Sequence, residues 1–147
     1  MPITRVDYET LSELRYQIRR FLRVRELSAR AAGIEPQQYL VLLQVKGVER
    51  RGPATIATLA ERLQVRHHAA VQLVDRLAHL GLVERRREGP DRRAVTVRLR
   101  PAGEAVLRRL AMQSVAELEN EGPKLVSSLR QLILNSSSPD RSAARAR

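Results

Sequence analysis

The chain contains no cysteine. Disulfides, thiolate metal sites and cysteine redox switches are therefore excluded. Aromatic residues make up only 3% of the sequence, which weighs against a pocket built around aromatic ligands. There is no long apolar run and no signal-peptide pattern, so a soluble cytoplasmic chain with no membrane partner is expected. No internal repeat is visible. No glycine-rich phosphate loop follows a strand, and His67, His68 and His79 lack metal-ligand spacing. Neighbouring residues on a helix diverge by about 100°, so His67 and His68 cannot easily share one metal. No enzyme, cofactor or metal is expected.

Lysine is almost missing as well. Lys46 and Lys124 are the only two, and arginine supplies all the rest of 27 basic residues against 16 acids, a formal net charge of +11. A polyanion is the natural partner of such a chain, and arginine's fixed fork suits phosphate oxygens and guanine edges. Codon bias in a GC-rich genome would produce the same excess.

What the 147 residues do contain is one core's worth of patterned apolar side chains. Leu11, Leu14, Ile18, Phe21 and Leu22 recur at three- and four-residue steps, which predicts a long amphipathic helix from Val6 to about Ala32, ended by Gly33. Pro36 suits the first position of a second helix through Tyr39, Leu40, Leu42, Leu43 and Val45 to Gly47. Glu49 to Pro53 reads as a turn. Thr55 can cap a third helix that turns inward Ile56, Leu59, Ala60 and Leu63. Gln64 and Val65 turn the chain into a fourth helix, Arg66 to Leu80, with Ala70, Leu73, Val74 and Leu77 facing the core and Gly81 as its left-handed end. Leu82–Arg86 and Ala94–Leu99 suit two strands around a charged loop, with Val95, Val97 and Leu99 alternating against Thr96 and Arg98. Pro101 opens a helix to Glu121, Gly122-Pro123 is expected to break it, and a last helix runs from Lys124 to about Leu134.

The stretch from Thr55 to Arg93 thus has the order of a winged helix-turn-helix. The expected fold is mainly α, with a small β-hairpin wing and a dimerisation domain made of the N- and C-terminal helices. Residues 1–34 and 101–134 would be dimerisation helices, 35–100 the DNA-binding domain and 135–147 a flexible tail. The terminal apolar faces are too wide for the central module to cover alone. They predict a two-fold homodimer through Leu11, Leu14, Ile18, Leu118, Leu125, Leu129 and Leu132.

Five segments in register carry a resemblance: Leu59-Ala-Glu-Arg-Leu63, Leu73-Val-Asp-Arg-Leu77, Gly81-Leu-Val-Glu-Arg85, Asp91-Arg-Arg93 and Leu99-Arg-Pro-Ala-Gly103. In order and spacing the sequence resembles the MarR family of bacterial transcription regulators. The resemblance implies a homodimeric winged-helix repressor with the helix from Arg66 as recognition helix and Asp91-Arg-Arg93 at the wing. It further implies an effector, anionic and aromatic or lipophilic, in the crevice between dimer helices and DNA-binding module. Arg15, Tyr16, Arg19, Phe21 and Tyr39 are candidates for that crevice, with Arg20 as another carboxylate partner; the alternative is that they are ordinary core and surface residues. Where the family usually carries serine or threonine before a helix, this chain has Glu35, Arg66 and Arg100, and each loses a cap worth about 1 kcal/mol. Gln64 stands where the family often has glycine, which predicts a strained or reshaped turn.

On the recognition helix, Arg66, His67, His68, Ala69, Gln72 and Arg76 lie near the N-terminus or on the exposed face. Gln72 is the clearest base reader, since its amide matches adenine N6 and N7, and Ala69 can meet a thymine methyl. His67 and His68 suit phosphate contacts. Arg66 is either the partner of a phosphate at the helix start or a solvated arginine. At the wing, Arg92 or Arg93 suits the minor groove, the resemblance favouring Arg93 with Asp91 orienting the loop, while Arg85, Arg86 and Arg87 suit the DNA backbone. Asp75 and His79, four apart, can pair. Three functions follow in decreasing order of support: a sequence-specific, ligand-released repressor on an inverted-repeat operator of double-stranded DNA, a non-specific or architectural nucleic-acid binder, and a module whose terminal helices bind another protein.

Overall fold

The structure, a computed structural model, describes residues 3–88 and 94–137. Asp91, Arg92 and Arg93, and the tail beyond Ser137, lie outside the described residues. In chain order the elements are α1 (Arg5–Ala31), α2 (Pro36–Val48), a 3₁₀ turn (Glu49–Arg51), β1 (Ala54–Thr55), α3 (Ile56–Leu63), α4 (His67–His79), β2 (Val83–Glu88), β3 (Ala94–Leu99) and α5 (Pro101–Ser137). The chain is mainly α with a small wing, as its patterning predicts. Among the described residues no helix is long and apolar enough to cross a membrane.

Two compact units are present. The first, Arg25–Gln113, holds the core. Leu42, Leu59, Leu77, Val41, Val74, Val83 and Val97 are its largest fully buried side chains. They come from α2, α3, α4 and both long strands, so each element contributes its apolar face to one centre. Spacing places Leu40 on the α2 stripe, but Leu40 is 40% exposed and Val41 takes the buried position. Thr55 caps α3 by accepting from the Thr58 N–H at 3.1 Å. It also pairs with Thr96 as part of β1, a third strand that two residues are too short to announce by alternation. The sheet order is β1-β3-β2, antiparallel throughout, with Val83 opposite Leu99 and Arg86 opposite Thr96. As the central strand, β3 buries Thr96 despite its polar character, and the Thr96 hydroxyl donates to the Arg86 carbonyl at 3.3 Å.

Glu35 is not as poorly placed before α2 as its lost serine cap suggests. Its backbone N–H is accepted by the side-chain oxygen of buried Gln38 at 2.9 Å, the returning half of a capping box. Lys46 ties the end of α2 to the start of α5, holding Glu49 at 2.8 Å and Glu104 at 2.9 Å.

The second unit comprises the described residues up to Val24 and from Ser114 onward. Thr4 and Asp7 cap α1 reciprocally: the Thr4 N–H donates to the Asp7 carboxylate at 2.9 Å, and the Asp7 N–H to the Thr4 hydroxyl at 3.3 Å. Along this unit Leu11, Ile18, Leu22, Leu118, Val126, Leu129 and Ile133 remain about two-fifths to three-fifths exposed.

The expected break at Gly122-Pro123 does not occur. α5 is continuous through Pro123 and reaches Ser137, so the helix also extends into the segment expected as tail. Proline costs a helix its i−4 hydrogen bond, but its further objection is a clash between its ring and the Cβ of the preceding residue. Gly122 has no Cβ, and that part of the clash vanishes.

Candidate nucleic-acid interface

The turn from α3 into α4 is set by Gln64, the one non-glycine residue with positive φ among those described (φ 55, ψ 44). Its side-chain amide donates to the Glu61 carbonyl at 2.8 Å and the Val65 N–H to the Ala60 carbonyl at 3.0 Å, which hold the left-handed conformation in place. The strain expected where a glycine is replaced is therefore real, and it is met by local hydrogen bonds.

Arg66 follows in extended conformation (φ −69, ψ 153) as the N-cap of α4 and makes no side-chain cap hydrogen bond. Its carbonyl accepts from Ala69 at 3.0 Å and Ala70 at 3.1 Å. Beyond it α4 divides cleanly. Ala70, Leu73, Val74 and Leu77 are buried, while Arg66, His67, His68, Gln72 and Arg76 are exposed and Ala69 is half-buried among them. The helix is thus clamped on one side and presents cationic and amide groups on the other. Helix starts with a cation and no internal cap are suited to anions, because the first N–H groups have no partner within the helix.

The wing strand is tied to this helix. Arg85 on β2 forms an ion pair with Asp75 on α4. Asp75 therefore bonds across to β2 and not along its own helix to His79, contrary to the i, i+4 pairing that spacing permits. Arg86 meets Glu84 at 2.6 Å, and Arg85, Arg86 and Arg87 are all exposed. Nothing in the sequence marks the Asp75–Arg85 contact, since ten residues separate the pair and the turn from α4 into β2, closed by the Leu82 N–H on the Leu77 carbonyl, fixes their proximity.

The candidates for an effector crevice divide between the two units. Tyr39 is 6% exposed, in the core of Arg25–Gln113. Arg15, Tyr16 and Arg19 are exposed in the other unit, where the Arg20 guanidinium lies 5.8 Å from the centre of the Tyr16 ring. Phe21 is half-buried and, with Gln17 and Leu125, lines a cavity of about 60 Å³, room for a few waters and not for an aromatic molecule. Among the described residues no cluster of histidine and acidic side chains can hold a metal ion.

The architecture has known counterparts. The MarR family model matches residues 32–94, the segment from the end of α1 to the start of β3. No curated protein sequence matches the chain. Among solved structures, AbsC of Streptomyces coelicolor, a MarR family transcriptional regulator, superposes with a TM-score of 0.72 at 19% identity over 100% of this chain and 99% of its own. A mutant of E. coli MarR complexed with operator DNA gives 0.63 at 23% identity, covering 84% and 90%. BpsR of Bordetella bronchiseptica, whose DNA binding is regulated by 6-hydroxynicotinic acid, gives 0.59 at 19% identity, covering 85% and 96%. Residues 32–94 are a MarR-family winged helix-turn-helix, and the chain around them has the fold of the MarR family transcription regulators.

Proposed function

We propose that the chain is a sequence-specific transcriptional repressor that binds an inverted-repeat operator as a cytoplasmic homodimer and is released by a small anionic ligand, aromatic or lipophilic. The observation that carries the reading is the two-sided α4: four buried side chains fix it, and a row of exposed Arg66, His67, His68, Gln72 and Arg76 is left to face DNA. In this reading Gln72 and Ala69 read base edges and Arg66 holds a phosphate at the helix start. Arg85, Arg86 and Arg87 contact the backbone, and Arg92 or Arg93, oriented by Asp91, enters the minor groove.

Residues 1–34 and 101–134 are the proposed dimerisation helices and 35–100 the DNA-binding domain. Support for the dimer is the exposure of Leu11, Ile18, Leu118 and Leu129, an amount of apolar surface that a monomer seldom presents to water. Release by a ligand draws on the likeness to BpsR.

Selecting bound duplexes from random DNA tests the core of this function. The expected result is an inverted repeat with half-sites about 34 Å apart, or a multiple, preferred about 10³-fold or more over random competitor at physiological salt. A flat sequence spectrum would instead establish a non-specific binder. Within the selected site, Gln72→Ala should relax preference at one position per half-site at a cost of roughly 1–3 kcal/mol, and an unchanged preference would remove its assigned role. Arg66→Ser should flatten the slope of log affinity against log salt by about 0.9.

A further inference from the structure

The turn after α2 forms a second basic concavity that shares no residue with α4 or the β2–β3 hairpin. Gly47, Val48, Arg50, Arg51 and Arg62 line an open space of about 500 Å³. The arginines come from two places in the chain, the 3₁₀ turn Glu49–Arg51 and the last turn of α3. Arg50 and Arg51 are exposed, and among the described residues neither has an ion-pair partner. Among the described residues no acid lines the space, and Glu49, in the same turn as Arg50 and Arg51, is held by Lys46 at 2.8 Å. Arg62 donates to a neutral group, the Gln44 side-chain oxygen at 2.5 Å.

Three guanidinium groups therefore surround one space with no protein countercharge assigned to it. Attraction to the negative end of α2 does not account for them, since Lys46 already occupies the last turn of that helix. Gly47 adds an independent observation. Glycine in a helix is less stable than alanine, yet nothing lies within 4 Å of where a Cβ would stand. Packing does not require the glycine, and its effect is to leave the floor of the concavity open to an approaching group.

We propose that this concavity is a phosphate site, in which Arg50, Arg51 and Arg62 grip the oxygens of a phosphate-bearing anion. Guanidinium forks match phosphate geometry, and three of them around a polar-lined opening fit one or two linked phosphoryl groups. The phosphate comes either from a free oligophosphate or from a stretch of DNA backbone outside the reach of the recognition helix. The site rests on none of the roles assigned to α4, so its failure and theirs are separately visible.

The test titrates the full-length protein with inorganic triphosphate while the arginine side-chain Nε–H signals are followed by NMR. The Arg50, Arg51 and Arg62 signals should move together with one apparent affinity, and R50A/R51A should weaken binding seen at Arg62 at least tenfold. R50K/R51K, which keeps the charge and loses the forks, should fall between. The proposal is overturned if the Arg62 signal moves no more than that of exposed Arg108, or if R50A/R51A leaves the affinity seen at Arg62 unchanged. Given triphosphate binding, the source is read from the salt dependence on a long random duplex. A slope flatter by about 0.9 in R50A/R51A assigns the site to DNA backbone, and an unchanged slope assigns it to a free ligand.

Discussion

Gly103, in the first turn of α5, offers the sharpest test of the packing. A Cβ built there would lie 2.1 Å from the Leu82 carbonyl oxygen and 3.0 Å from its carbon. To reach even 3.0 Å from the oxygen, the two backbones must part by about 0.9 Å. Neither can yield easily. Leu82 is pinned by its N–H to the Leu77 carbonyl at 3.0 Å, and its own carbonyl accepts the Arg100 N–H at 2.9 Å. Val83, next in the chain, is 1% exposed in the core. Gly103→Ala should therefore force the start of α5 outward. The cost combines overpacking of about 1–3 kcal/mol with loss of the Arg100–Leu82 bond, about 1 kcal/mol, against a gain of about 1 kcal/mol in helix propensity. The net is a loss of about 1–3 kcal/mol, or roughly 3–10 °C in Tm for a chain of this size. Gly47→Ala is the control of opposite sign: it sits in helix with open space around it and should stabilise by about 0.5–1 kcal/mol. Thermal and urea unfolding measure both, at one fixed protein concentration, because subunit association raises apparent stability with concentration. A Gly103→Ala variant as stable as the parent would refute the close approach of α5 to the entry of β2.

Other expectations are narrower. Pro123→Ala restores a backbone donor inside α5 and should raise both Tm and the helical circular-dichroism signal, by no more than about 3 kcal/mol of stability; a lower helical signal would contradict an unbroken helix. Asp75→Asn releases Arg85 and should change stability by less than about 1 kcal/mol, since both partners are substantially exposed. The same variant should narrow the affinity gap between selected and random DNA, because the wing is no longer held to the reading helix; an unchanged ratio in a binding competition would refute that coupling. Lys46 is pushed up to about 12 from 10.5, first by its hydrogen bond to Glu49 and then by that to Glu104. A raised cationic pKa stabilises fully below the unfolded value, so this contribution should be constant through neutral pH and vanish only as pH rises from about 10.5 through 12. Lys46→Met should remove that alkaline limb from the stability–pH curve.

Much of the fold is legible in the sequence because strong periodicity and single-residue punctuation agree. Thr55 caps, Gly33 and Gly81 take positive φ, and the inward faces of α3 and α4 are as the spacing predicts. The failures have a common physical form: the deciding partner is distant in sequence. β1 exists because Ala54 and Thr55 find Val97 and Thr96, not because two residues favour a strand. Gly103 reads as part of a motif and only the structure shows which carbonyl it must approach. The proline in α5 misleads for a local reason, since a glycine before it removes the Cβ part of the clash that normally ends a helix. At the candidate interface, Gln72 and the arginines are legible as types on an exposed face, whereas the engagement of Asp75 with Arg85 is not, because the turn from α4 into β2 brings them together. Pairing Asp75 with His79 from spacing alone overlooks a guanidinium that arrives from the next strand.

The charge distribution gives that ion pair a further meaning. The formal charge of +11 attracts any nucleic acid, and attraction of that kind carries no sequence information. In the proposed complex, discrimination must come from neutral groups held rigidly at base edges, the role proposed for Gln72 and Ala69 on α4, flanked by His67 and His68. Their precision depends on how firmly the helix is held. Its inner face is set by four buried side chains, its entry by the left-handed Gln64 with hydrogen bonds back into α3, and its flank by the pairing of Asp75 with Arg85 on β2. Asp75 is the only acid on that helix, and its charge goes to orienting an arginine instead of repelling a phosphate. An acid in the middle of a DNA-reading helix lowers affinity if it is free. Paired with Arg85, it links α4 to β2 through one exposed ion pair, too weak to matter much for stability, so the effect of Asp75→Asn on DNA discrimination reads the orientation of α4 against β2 and not the strength of the fold.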